Sequence, residues 1–170
     1  MVVALFDGAE RKFEDLNHEF IVDAMGPDAL PVTIVADEWF RRMKEMSMLN
    51  NNGMFLGQSA SIKFMINSDA KVIKKIIKNA EKSIGVQITE INNKIAELNS
   101  KIAEATEDDK KNIQADIDVQ LDNKKSIIKS FVNEDHHVNE LIDIALLEYG
   151  LLTGEDLARF VRRSIKLIEK

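Results

Sequence analysis

The chain has 170 residues, of which 45% are apolar and 31% are charged, so it can bury a core of its own. Its net charge of −6 argues against nucleic-acid binding, because that function needs a basic surface. The lack of cysteine excludes disulfides and thiolate metal sites, and every apolar run is shorter than the ~18 residues of a membrane span. We therefore expect a cytoplasmic protein with neither nucleic-acid nor membrane partners. The opening residues carry no helix-start signal, which suggests a piece of a longer chain.

Two short segments near the N-terminus have the composition of β-strands. Residues 20–24 (FIVDA) and 31–35 (PVTIV) flank Gly26-Pro27-Asp28, a combination typical of turns. This arrangement predicts a β-hairpin.

The next segment, residues 37–55, combines aromatic side chains with four of the seven methionines. On a helix, Trp39, Met43 and Met46 share one side, and an Asn-rich run at residues 50–52 follows. Such a stripe more often faces a core, but methionine is flexible and polarizable, so the stripe could instead contact varied apolar partners. The residues concerned are Trp39, Phe40, Met43, Met46, Met48, Met54 and Phe55.

A third strand and two long helices are predicted next. Residues 62–66 alternate apolar and other side chains, and Ser68 occupies a helix-start position before an apolar stripe. From Ile84 to Ile102, isoleucine and leucine recur at alternating spacings of four and three, which is a heptad pattern. Thr106 marks a new helix start, and folding back there predicts an antiparallel hairpin arm over residues 84–132, with Ile84 opposite Phe131.

Two further helices end the chain. Asn133 is the expected cap of the first, which should stop at Tyr149-Gly150, and Thr153 the cap of the second, with Asp156 at the reciprocal position. The first helix is apolar almost all round, so it must be covered almost all round. We expect a second copy to cover it as a four-helix-bundle dimer, although packing on the sheet is the alternative. The expected interface comprises Leu141, Ile142, Ala145, Leu146, Tyr149, Leu157, Phe160, Val161, Ile165 and Ile168.

Two stretches resemble a known family when they are taken in order. PVTIVADEWFRRMKEMSMLNNNGMF precedes an Asn-Ser-Asp turn, and the chain closes with LIDIALLEYGLLTGEDLARFVRRSIKLI. Both are similar to the C-terminal domain of the ninety-kilodalton heat-shock chaperone family, and the bacterial form, high-temperature protein G, is the closer match. Together they cover about a third of the chain.

This resemblance implies an α+β fold with a small three-stranded antiparallel sheet, surrounding helices and a homodimer of terminal helices. It implies three parts: the sheet with the amphipathic helix at residues 1–83, the arm at 84–132 and the dimerisation helices at 133–170. It also implies that the Met-rich helix contacts unfolded client proteins. The ATP and Mg²⁺ of the family belong to an N-terminal domain outside this region, so no cofactor is expected here.

The remaining candidate metal-binding and catalytic residues give weaker indications of a function. His136 and Glu140 share a helical face, but two ligands do not make a metal site, and we expect none. His18 is isolated, and the basic residues of the last helix are expected to be solvated or paired with acids. No nucleophile–base arrangement or phosphate-binding glycine motif occurs, so no catalytic residue and no enzyme activity is expected. The alternative function is a free-standing coiled-coil scaffold that recruits a partner through the arm.

Overall fold

The computed structural model describes residues 1–9, 17–36, 38, 42, 61–102 and 107–169, without the side chains of residues 107, 108, 167 and 168. In chain order these ranges contain α1 (Val2–Asp7), β1 (Asn17–Asp23), β2 (Val32–Ala36), β3 (Ser61–Asn67), α2 (Lys71–Ile102), α3 (Glu107–Asp135), α4 (His137–Glu148) and α5 (Gly154–Ile168). The fold is therefore α+β, as predicted. Among the described helices, none is both long enough and apolar enough to cross a membrane.

The sheet is mixed, and its strand order is β1-β3-β2. β3 is parallel to β1, with Phe20 beside Phe64, and antiparallel to β2, with Ile34 beside Phe64. The predicted antiparallel sheet and β1–β2 hairpin are wrong. β3 occupies the central position, where its backbone pairs with a strand on each side, and its apolar residues Ile62, Phe64 and Ile66 are completely buried on one face of the sheet.

The loop between β1 and β2 passes the end of β3 and is fastened there by Asn67. The Asn67 side-chain amide donates to the carbonyls of Gly26 (2.8 Å) and Ala29 (3.3 Å). Its Oδ1 accepts from the backbone N–H groups of Met25 (3.1 Å) and Asp69 (3.0 Å). Gly26 has a φ of 87°, a conformation that glycine adopts at little cost. The turn signal was therefore correct, but it marks a wide connection rather than a tight hairpin.

Helix α2 begins at Lys71, two residues later than a cap at Ser68 would place it. The Ser68 hydroxyl donates instead to the carbonyl of Asp23 at 3.2 Å, and the Ser68 N–H donates to the same oxygen at 2.9 Å. Ser68 therefore ties the end of β3 to the end of β1, and the prediction that it caps the helix is wrong.

Helices α2 and α3 pack against each other, and both contribute to the core at one end. Ile84, Ile88, Ile128 and Phe131 belong to the same buried cluster as Phe64 of the sheet. Farther along, Lys124 Nζ donates to Asn92 Oδ1 at 2.8 Å. Helix α3 starts directly after position 106, as predicted, although Thr106 itself lies outside the described residues.

The junction between α3 and α4 lies at His136, not at Asn133. His136 has a φ of 61°, which breaks the helix, whereas Asn133 lies within α3. The prediction that Asn133 caps α4 is wrong because the helical bonds continue past it, and the His136 N–H still donates to the carbonyl of Val132 (3.1 Å). The Oδ1 of Asn133 is buried without a hydrogen-bond partner in the described part of the chain.

Helix α4 ends as predicted, at Glu148, with a glycine stop signal behind it. Gly150 has a φ of 73°, its N–H donates to the Leu147 carbonyl (3.0 Å), and the Leu151 N–H donates to the Leu146 carbonyl (2.8 Å). These two bonds satisfy carbonyls that the helix end would leave unpaired.

Thr153 stands at the N-cap position of α5, as predicted, with extended backbone. Its side chain makes no capping bond within the described ranges, and Asp156 instead accepts from Arg159 (3.1 Å). The position of the helix start is therefore correct, while the capping bond of the Thr153 side chain is not formed within the described ranges.

Candidate functional site

The predicted client-contact residues lie outside the described residues. They are Trp39, Phe40, Met43, Met46, Met48, Met54 and Phe55. Only Glu38 and Arg42 of that segment are described; both are helical, and Arg42 Nε donates to Glu38 Oε1 at 2.8 Å. This exposed pair has the i,i+4 spacing of a helix surface.

One side of α4 packs into the core of its own chain. Leu141, Ile142, Ala145 and Leu146 are between 0% and 8% exposed. These four residues of the predicted dimer interface are therefore already covered without a second copy. The reason is that α4 contacts β2 and α1, so the sheet side of the molecule shields the apolar side of the helix.

The outer side of α4 and the side of α5 turned away from Arg163 carry exposed apolar residues. Ile144 is 45% exposed and Leu147 is 43% exposed on α4, and Val161 (45%) and Ile165 (49%) are exposed on α5. We call these four residues the exposed strip. A half-exposed apolar side chain is common singly, and the presence of four on two packed helices makes these helices a candidate for association.

The remaining predicted interface residues are partly covered. Tyr149, Leu157 and Phe160 are half-buried and pack against the core cluster. The side chain of Ile168 lies outside the described residues. Of the ten predicted interface residues, Val161 and Ile165 are thus the ones that the described structure leaves widely exposed.

An acid–arginine cluster joins α4 to α5. Arg163 donates through Nε to Glu140 Oε1 and through its terminal nitrogen to Asp143 Oδ2 (2.6 Å), and the Ser164 hydroxyl donates to Glu140 Oε2 (3.0 Å). Glu140 and Asp143 are only 8% and 6% exposed, so both carboxylates need these partners. The expectation that basic residues of α5 pair with acids is confirmed for Arg163.

The electrostatics of the cluster favour a permanently charged arginine. Burial by itself would lower the pKa of Arg163, but hydrogen bonds and charge from Glu140 and Asp143 outweigh it and raise that pKa. Sequence reasoning did not identify the two acids as partners. The available signal was a pair of acids three residues apart on a helix that is otherwise apolar.

The cluster also fixes where α5 lies. At 100° per residue, Glu140 and Asp143 fall on the side of α4 opposite to Ile142 and Ala145, which face the core. Helix α5 therefore covers the outer side of α4, and Ile144 lies beside this contact. Val161 and Ile165 lie about 160° from Arg163 around α5, so the cluster keeps them on the outer side of that helix.

The histidines do not form a metal site with their neighbours. The carboxylate of Glu140 is engaged by Arg163 and Ser164, and the described residues contain no group of three side chains suited to a metal ion. His18 contacts the edge of the Phe20 ring at 5.6 Å between centroids, which fits the structural role expected of it. His137 Nδ1 lies 2.8 Å from Asp135 Oδ1 beside the α3–α4 junction.

Comparison with known proteins finds several similar sequences that share one name. No family model and no solved structure matches it. It is 30% identical to chaperone protein htpG of Bacteroides fragilis strain YCH46 over 97% of its own length. It is 27% identical to HtpG of Bacteroides thetaiotaomicron and 29% identical to HtpG of Porphyromonas gingivalis ATCC 33277, over 98% of its length in each case. The chain spans about a quarter (27%) of the length of these curated relatives. The resemblance predicted from the sequence is therefore confirmed, and the chain is a homologue of the HtpG chaperones that corresponds to one part of them.

Proposed function

We propose that this chain is the C-terminal dimerisation part of an HtpG-type chaperone and joins two copies through α4 and α5. The single observation that carries the proposal is the exposed strip of Ile144, Leu147, Val161 and Ile165. Fully burying one such side chain contributes about 1.5–3 kcal/mol, so covering four half-exposed side chains in each of two copies favours association. Because α4 and α5 form a helix pair, two copies related by a two-fold axis make a four-helix bundle.

The dimer is tested by placing a charge in the exposed strip. Ile165→Glu should convert the dimer to a folded monomer, since a carboxylate at the interface would be desolvated without a partner. Val119→Glu is the matched control, because Val119 is also exposed (55%) but lies on α3. Sedimentation equilibrium at micromolar concentration gives the mass, and circular dichroism checks the fold. A monomeric parent chain, or an Ile165→Glu variant that remains dimeric, contradicts the proposal.

A second part of the proposal concerns client proteins. The Met-rich segment around Trp39 and Met43 would contact unfolded polypeptides, supported by its sequence pattern and by the chaperone names of the relatives. The double variant Trp39→Ala, Met43→Ala should retain the dimer but suppress the thermal aggregation of a model client less well, as measured by light scattering. The control removes two exposed apolar side chains elsewhere, Met25→Ala with Leu30→Ala. Equal suppression by both variants contradicts a client site here.

The third part concerns α2 and α3, which we infer to form the antiparallel hairpin arm. The Lys124–Asn92 hydrogen bond and the shared groove of Ile84 and Phe131 support this pairing. The arm cannot be removed from residue 84, because its base belongs to the core. Replacing residues 93–123 by a short glycine turn should instead leave a folded chain that dimerises. Loss of folding on this deletion would favour the alternative, a scaffold whose main element is the coiled coil.

A further inference from the structure

We propose that Arg163 is a positioning residue for self-association, which holds α5 on α4 in the one orientation that forms the exposed strip. This inference rests on the proposed dimerisation. It assigns to the acid–arginine cluster a role in presenting a surface that the cluster does not itself touch.

The first argument is the placement of α5. Its main neighbour among the described elements is α4, and its apolar contacts, through Leu157 and Phe160, are only half-buried. A helix held by a small apolar contact can rotate or slide at little cost, because apolar contacts are not directional. The orientation of α5 must therefore come from directional contacts.

The second argument is the geometry of those contacts. The guanidinium of Arg163 is planar and donates in two directions, to Glu140 and to Asp143, while its own side chain is 23% exposed. Both carboxylates are buried on the outer side of α4, so each of them is destabilising unless it is paired. A single placement of α5 satisfies both. A lysine has the same charge but lacks the planar fork, so it cannot reproduce this arrangement.

The third argument links the cluster to the exposed strip. Val161 and Ile165 lie two residues before and two residues after Arg163 on the same helix. At 100° per residue both residues lie about 160° from Arg163 around the helix, so an Arg163 that faces α4 keeps them on the outer side of α5. A displacement of α5 by one residue rotates its side chains by about 100° and would turn both residues out of that orientation. Orienting Arg163 therefore orients the strip.

The experiment compares Arg163→Lys with Arg159→Lys in the full chain. Arg159 is the matched control, because it also pairs with an acid, Asp156, but its side chain is 64% exposed. Arg163→Lys should weaken the dimer on the order of tenfold in Kd, and Arg159→Lys should change it by less than about twofold. Sedimentation equilibrium measures Kd, and circular dichroism shows whether each variant is folded. If Arg163 only stabilised the fold of the single chain, Arg163→Lys would lower the melting temperature and leave the Kd for dimerisation of the folded chains unchanged.

A neutral variant keeps the test valid if Arg163→Lys does not fold. The triple variant Arg163→Met, Glu140→Gln, Asp143→Asn removes all the buried charge, so the chain should fold, but it also removes the fork and should weaken the dimer similarly. A dimer of parental affinity in the folded Arg163→Lys or triple variant overturns the inference while leaving dimerisation intact. A monomeric parent chain refutes the proposed function instead, so the two failures are distinguishable.

Discussion

The close approach of α1 to α3 gives a prediction about two glycines that have opposite surroundings. A Cβ at Gly8 would lie 2.9 Å from Ile128 Cγ2 and 3.3 Å from the carbonyl oxygen of Ala4. A Cβ at Gly85, in the interior of α2, would meet only the Glu81 Cβ at 3.9 Å. The same change, glycine to alanine, should therefore destabilise the protein at one position and stabilise it at the other.

The magnitudes follow from the two environments. Gly85→Ala should raise the free energy of unfolding by about 0.5–1 kcal/mol, because alanine restricts the unfolded chain and favours a helix. At Gly8 the backbone is right-handed, so alanine would bring a similar gain. However, Ile128 is only 6% exposed, so its branched methyl cannot move away freely. Overpacking of a core costs about 1–3 kcal/mol, so Gly8→Ala should lower stability by about 0.5–2 kcal/mol.

Urea unfolding followed by circular dichroism, at one protein concentration, measures both changes. A double-mutant cycle with Ile128→Ala supplies the decisive comparison, because removing the Ile128 methyl groups relieves the clash. In that background Gly8→Ala should become neutral or stabilising. If Gly8→Ala stabilises the parent chain as much as Gly85→Ala does, the reasoning from the contact distance is refuted.

Three further predictions concern separate parts of the fold. Burial raises the pKa of Asp7 above its ordinary 3.8, against a smaller opposing effect of His18. The folded state therefore loses stability as the pH rises through that pKa, and Asp7→Asn should raise the melting temperature relative to the parent at about pH 7 but not at about pH 3. His136→Gly should stabilise the chain by about 1 kcal/mol in urea unfolding, because glycine adopts the positive φ of that position without strain. A loss of stability would show that the contacts of the imidazole contribute more than the backbone strain costs. Asn67→Ala should lower the free energy of unfolding by about 2–4 kcal/mol in the same assay, since Asn67 is completely buried and its hydrogen bonds hold the β1–β2 loop. Ser68→Ala, which removes one exposed hydrogen bond, is the control. An Asn67→Ala effect no larger than that of the control would contradict this prediction.

Several features were predictable because their causes are local. Gly150 ends α4 because glycine adopts a positive φ readily, and a helix starts after Thr106 as the sequence signal indicates. The isoleucines at 84, 88 and 91 are buried, as their heptad spacing predicts. The client-contact prediction around Trp39 lies outside the described residues and stays a prediction.

Other features depended on residues distant in the chain. The turn at Gly26 was read as a hairpin because turn chemistry does not specify which strand lies beside which. Only the tertiary structure shows that β3 pairs with both strands and lies between them. Similarly, Ser68 had the residue type of a cap, but the carbonyl of Asp23 competes for its hydroxyl.

The amino-acid sequence by itself predicted the resemblance to the HtpG chaperones and the α+β fold class. Because periodicity and turn chemistry act over a few residues, it also predicted the three strand segments and the four helices that follow them, but not α1. Tertiary structure alone decided the strand order, the break at His136 and the side of α4 that faces the core. It also decided which acids hold Arg163, because Glu140 and Asp143 lie 20 or more residues away along the chain. The physical reason is that burial and ion pairing depend on which distant segments meet, and no local pattern encodes that meeting.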